Sequence, residues 1–289
     1  MDLTAVYLLA LPAALYLRAT RVLASRGYRV PAWQQVSWYG GLAMIGVALL
    51  SPLDHLGETD LVSAHMAQHL LIGDLAAPFL VIGLRSPVYA FLLPAPLMAP
   101  IARSSSLRRA FRFVRQPWIA AGLWIFVLYS WHFAGAYDAA LRSPALHALQ
   151  HQSFIVTSML VWLCVLEPAR RRTPGGLWKI AHIGAVRLAG MFLGMAFVAA
   201  RSPFYDGFYG RRALEHGLTP LEDQQIAGAL MLSLDFTIMI ATLVFVFFRS
   251  AQDADIEEER ERALAARAPA ETHPDGSGRV GIPALGREQ

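Results

Sequence analysis

Seven apolar stretches divide most of this chain, and each approaches the ~20 residues that a helix needs to cross the hydrocarbon layer of a bilayer. They run Leu3–Val22, Val36–Leu53, Leu61–Leu84, Pro117–Phe133, Leu146–Leu166, Ile180–Ala200 and Gln225–Phe248. In lipid, the backbone N–H and C=O groups of such a run must be satisfied within the segment, which selects the helix. With 55% hydrophobic and 16% charged residues, the chain has a membrane rather than a globular composition. The expected fold is therefore all-α, a polytopic seven-transmembrane-helix bundle. Pro12 in the first stretch is tolerable where neighbouring helices re-satisfy the freed backbone groups.

Arginine placement predicts the orientation. The first connection holds Arg18, Arg21, Arg26 and Arg29; the third holds Arg85, Arg103, Arg108, Arg109, Arg112 and Arg115; the fifth holds Arg170, Arg171, Arg172 and Lys179. The second has no basic residue, the fourth only Arg142, and the sixth Arg201, Arg211 and Arg212. The positive-inside rule then puts the odd loops and the C-terminus in the cytoplasm and the N-terminus outside. The start, MDLT, has no basic residue ahead of its apolar run and reads as a first span, not a removable signal. The basic net charge serves topology and anionic lipid, and gives no argument for nucleic acid. A single cysteine, Cys164, excludes a disulfide framework. Residues 1–250 form the expected transmembrane domain. Residues 251–289, beginning as mixed charge and ending rich in Pro and Gly, read as a charged, largely disordered cytoplasmic tail. LRRAFRFVR, in the third connection, reads as an amphipathic segment on the inner leaflet.

Two histidine pairs stand out within this frame: His65 and His69 in SAHMAQHLL, and His147 and His151 in LHALQHQSF. Residues four apart share a helix face, so each pair presents two imidazoles together. Both lie in the outer zone, His65 and His69 roughly 6–12 Å deep at 1.5 Å per residue. His132 closes the fourth span in the same zone, and His55 and His216 occupy outer loops. Neutral imidazole ligates copper, zinc and iron, and thioether sulfur favours Cu(I). Met66, Met195 and Met231 lie on the same side. Neither HMAQH nor HALQH contains the Glu of HExxH, so hydrolysis by a zinc protease is disfavoured. The candidate metal ligands are His65, His69, His132, His147 and His151.

Ionisable residues inside spans are costly and should pair in the bundle interior. Asp74, Arg187 and Asp235 fall at similar depth near mid-membrane and are expected to meet. In the sixth connection, Thr219-Pro220 with Glu222 has the form of a capped helix start. Asp223, Gln224 and Gln225 follow, and Gly228 and Ala229 suggest close helix packing.

Three segments in order resemble one family: HMAQHLLIGDLAAPFLVIGL, SWHFAGAYDAALRSPALHALQHQSF with VWL following, and LTPLEDQQIAGALM. They are similar to the CtaG family of seven-span bacterial cytochrome c oxidase assembly proteins, over roughly residues 42–248. The resemblance implies a non-enzymatic role in maturing the oxidase, with copper as the metal handled, oxidase subunits and the bilayer as partners, and the bacterial cytoplasmic membrane as location. His65, His69, His132, His147 and His151 match as shared polar residues. So do Asp223, Gln224 and Gln225, which are assigned to cofactor binding. Asp74 departs from the pattern, standing where a small or apolar residue is usual.

Two other functions stay open at this level. One is a membrane cytochrome with haem held between His residues of the third and fifth spans. The other is an ion transporter using Asp74, Arg187 and Asp235, although no repeat or broken-helix pattern supports it. A retinal protein is excluded, because the only lysine, Lys179, lies at the edge of a span.

Overall fold

The computed structural model describes residues 3–166 and 177–267, and among these every regular element is helical. Glu167, Arg170, Arg171, Arg172, His273 and the Pro/Gly-rich tail lie outside the described residues. The chain divides into two units, Met1–Phe247 and Phe248–Gln289.

In the first unit, α1 (Leu3–Ser25) leads to α2 (Ala32–Leu50) and the short α3 (Pro52–Thr59). Next come α4 (Val62–His69), a π-helical stretch Leu70–Leu75, and α5 (Ala76–Gly83). The connection beyond holds α6 (Ala95–Arg103) and α7 (Ser105–Val114). Four helices follow: α8 (Pro117–His132), α9 (Ala134–Arg142), α10 (Pro144–Leu166) and α11 (Leu177–Ala199). The last two are a single turn, α12 (Asp206–Tyr209), and α13 (Pro220–Arg267), whose residues from Phe248 onward belong to the second unit.

Four helical stretches are long and apolar enough to cross a membrane: Val62–Gly83, Pro144–Leu166, Trp178–Ala199 and Pro220–Phe248. The number rises to six if α2 with α3, bent by 52°, and α8 with α9, bent by 77°, each make one span. Large apolar side chains such as Val36, Phe126 and Phe192 stay exposed along these helices. Apolar surface of that extent needs lipid against it, and the chain is a multi-pass membrane protein.

Two connections expected to be loops are helical. Ser51 caps α3, accepting from the Leu53 backbone N–H at 3.2 Å with Pro52 at the first helical position, so His55 sits on a helix rather than in a loop. The chain likewise turns at Phe133 into α9. The stretch Val62–Gly83 is the most buried of the four, at 61%. Both of its faces are apolar: Ala76 and Leu80 pack into one core with α1 and α2, while Ala77 and Val81 pack into a second with α8, α10 and α11. The element bearing the first His pair is thus enclosed on both sides. The segment LRRAFRFVR forms most of α7, whose Leu107, Phe111 and Phe113 are exposed.

In the second unit the described residues are helical to Arg267, where Arg262 and Glu258 pair four residues apart.

Candidate metal centre

α4 and α10 bring their N-terminal turns together, and the two His pairs face one another. One ligand atom from each of His65, His69, His147 and His151 lies within 4.8 Å of all the others. All four residues are buried, His65 completely. Across the helices, His65 and His147 stack with ring centroids 5.3 Å apart, and His69 meets His151 edge-on at 5.2 Å.

Hydrogen bonding sets the free nitrogens. His65 Nδ1 lies 3.2 Å from the Gly57 carbonyl, and His147 Nδ1 lies 2.8 Å from Glu58 Oε1. A carbonyl and a carboxylate only accept, so each Nδ1 carries the proton and each Nε2 keeps its lone pair. Both Nε2 atoms are buried without a hydrogen-bond partner, as are His151 Nε2 and both ring nitrogens of His69. Buried polar atoms are seldom left unpaired, because each costs roughly 1–3 kcal/mol. Five buried imidazole nitrogens without a partner in one cluster make a donor set that could hold a metal ion. The ring spacing agrees. With metal–nitrogen bonds of about 2.0–2.1 Å, tetrahedral imidazoles have centroids roughly 5.2 Å apart. Five such separations in the quartet run from 4.1 to 6.3 Å.

His132 stands beside the quartet rather than within it. Its ring centroid is 6.4 Å from that of His69, and its Nδ1 donates to Leu128 O at 2.7 Å. Met66 and Met231 are buried and, with His69 and His132, line a cavity of about 30 Å³. Met195 is 53% exposed and takes no part.

Asp223, Gln224 and Gln225 are occupied with backbone. Asp223 accepts from Val62 N at 2.7 Å, from Ser63 N at 3.1 Å and from the Ser63 hydroxyl, which fixes the first turn of α4. Gln224 accepts from Phe204 N at 2.6 Å and donates to Phe197 O, and Gln225 donates to Val198 O. Just before them Thr219 and Glu222 form the expected capping box: Glu222 N donates to Thr219 Oγ1 at 3.2 Å, and Thr219 N donates to Glu222 Oε2 at 2.8 Å.

The Asp74–Arg187–Asp235 group forms as expected. Arg187 Nη1 lies 2.5 Å from Asp74 Oδ1 and 2.7 Å from Asp235 Oδ1, with its guanidinium 4.8 Å above the Trp124 ring. Asp74 projects from the π-helical stretch, and both carboxylates line the cavity.

Sequence reasoning missed the groups that orient the histidines. Gly57 sits so close to α4 that a Cβ there would lie 2.9 Å from His65 Cα, and its carbonyl serves His65 directly. Tyr209 also donates to that carbonyl, at 2.5 Å. Tyr209 has spent its proton there, so Tyr137 is the donor in their 3.1 Å contact. Tyr137 lies 5.0 Å from the His65 ring and stacks on Tyr205 at 3.8 Å, while Tyr205 donates to His132 O. Burial pushes the Tyr205 and Tyr209 phenols up, so both stay neutral donors. The aromatic run FYDGFYG was the available signal for these tyrosines; Glu58 had none beyond lying next to a span.

No curated protein and no solved structure matches the chain. The family model described as cytochrome c oxidase caa3 assembly factor (Caa3_CtaG) matches residues 14–253, most of the chain, and the protein belongs to that family.

Proposed function

We propose that the His65/His69/His147/His151 quartet binds copper as cargo and that the protein assists its delivery to cytochrome c oxidase. The observation that carries this reading is the convergence of two buried HxxxH pairs, from separate helices, onto one point with ring nitrogens left without a hydrogen-bond partner on all four. Family membership supplies the recipient, a cytochrome c oxidase. The protein acts here as a carrier rather than an enzyme. His132 extends the ligand set on the side of the cavity. Asp223, Gln224 and Gln225 serve the metal site by holding α4, α11 and α13 in register.

A haem would need a cleft of the order of several hundred Å³. The cavity against His69 and His132 has about 30 Å³, which favours a bare ion over a porphyrin. Ion transport through Arg187 is disfavoured because both carboxylates are bound to it.

The proposed topology is seven spans in a bacterial cytoplasmic membrane. α1 joins the four apolar stretches and the two bent pairs, the N-terminus and the quartet lie outside, and the C-terminal tail is cytoplasmic. This arrangement would present copper on the side where an extracytoplasmic oxidase domain could receive it.

The test is complementation of cells lacking the chain. The wild-type protein restores copper content and activity of the oxidase, while His65→Ala/His69→Ala inserts normally and fails to restore either. Full copper loading by the double variant would contradict the reading.

A further inference from the structure

We propose that the cavity between the quartet and Arg187 is a second copper site, selective for the monovalent ion and joined to the quartet through His69. The proposal rests on the copper reading above and names where the ion goes next.

Size permits it. A volume of about 30 Å³ exceeds the ~10–15 Å³ needed for one water-sized occupant. The lining supplies soft and borderline donors: the His69 and His132 imidazoles and the Met66 and Met231 side chains. His132 is prepared for the role. Its Nδ1 proton is held by Leu128 O, and Nε2 is buried without a partner. His69 belongs to the quartet and also lines the cavity, with neither ring nitrogen engaged; its one lone pair can turn to either ion, and with both sites filled it ligates the cavity ion while His65, His147 and His151 hold the other. The His69 and His132 centroids are 6.4 Å apart. Two imidazoles placed linearly across one ion, with metal–nitrogen bonds of about 2.0–2.1 Å, have centroids roughly 6.4 Å apart.

Charge chooses the oxidation state. Asp74 and Asp235 line the cavity and share one guanidinium, Arg187, so with both carboxylates ionised the group balances one further positive charge. Uncompensated charge there is strongly unfavourable. A monovalent cation restores neutrality, whereas a divalent one overshoots it. Thioether and imidazole ligation also favours Cu(I).

The experiment is an anaerobic Cu(I) titration of the purified full chain in lipid nanodiscs against a chromophoric Cu(I) chelator, with x-ray absorption on the loaded protein. The wild type binds two Cu(I) per chain and shows copper–sulfur scattering. Met66→Leu/Met231→Leu, which conserves volume, and Asp235→Asn, which leaves the Asp74–Arg187 pair intact, each bind one, and Met66→Leu/Met231→Leu loses the sulfur contribution. His147→Ala/His151→Ala also binds one and keeps it. One Cu(I) in the wild type, removed by the quartet substitutions, would overturn the cavity site and leave the quartet standing. Two ions unaffected by Met66→Leu/Met231→Leu and Asp235→Asn would also overturn it. Two ions unaffected by His147→Ala/His151→Ala would instead contradict the quartet, and no bound Cu(I) would contradict both.

Discussion

Glu58 holds His147 by a 2.8 Å contact between its carboxylate and the ring Nδ1, although the Glu58 side chain is 43% exposed. A ligand histidine anchored through its second nitrogen has a fixed tautomer and a more basic free nitrogen. Loss of such an anchor weakens metal affinity by about 10–100-fold. Glu58→Ala is therefore expected to weaken copper binding by about that factor, while Glu58→Gln, which keeps an acceptor oxygen, loses less. Competition titration of the two variants checks the order.

Arg187 is the single cation between two buried carboxylates. Arg187→Met leaves both without a counter-charge and should cost about 3–5 kcal/mol of stability. Asp74→Asn costs less, because Arg187 keeps Asp235. Thermal melts of the two variants in one detergent should rank them in that order; equal melting temperatures would show that the triad is not a structural pair.

α11 and α13 approach through glycine. A Cβ on Gly228 would lie 2.6 Å from Gly194 O and 2.7 Å from Phe197 Cβ. Gly228→Ala should cost about 1–3 kcal/mol by forcing the helices apart. Ala229, by contrast, is exposed, and Ala229→Val should be close to neutral. Melting temperatures distinguish the two positions.

The tyrosines packed on Tyr137 give an alkaline signature. Burial raises the Tyr205 and Tyr209 phenols above the usual value of about 10. Below that value both states hold the proton, and the favourable burial of the neutral phenol is fully present. Above it the unfolded chain releases protons that the folded chain retains, so stability falls as pH rises toward the folded pKa. The melting temperature should drop above roughly pH 10, and less steeply in Tyr205→Phe. Parallel pH profiles for the wild type and the variant would contradict this.

Much of the site was legible because its signals are local. The i,i+4 spacing of His65/His69 and of His147/His151 puts each pair on one face, and a buried imidazole in an apolar segment has few other reasons to exist. Asp74, Arg187 and Asp235 were paired by depth alone, since isolated charges cannot stay unpaired there. What escaped was non-local or broke the regular period. The π-helical stretch Leu70–Leu75 leaves no mark in apolar periodicity, and it turns Asp74 toward Arg187. α3 and α9 are short helices bent away from α2 and α8, and their polar sequences read as loops. Glu58 and Gly57 reach the histidines only through the bend of α3 toward α4, which no spacing rule anticipates. Met195, placed on the right side by counting, faces away because helix rotation is set by packing.

The central claim is that one copper ion is held jointly by α4 and α10. Its most direct test is the copper retained by the purified full chain after dialysis against a chelator, for the wild type and for His65→Ala/His147→Ala, which removes one ligand from each helix. The wild type is expected to retain the quartet copper and the double variant, folded and inserted alike, to lose that ion while keeping the one in the cavity beside His132. Equal retention by both proteins would contradict the claim.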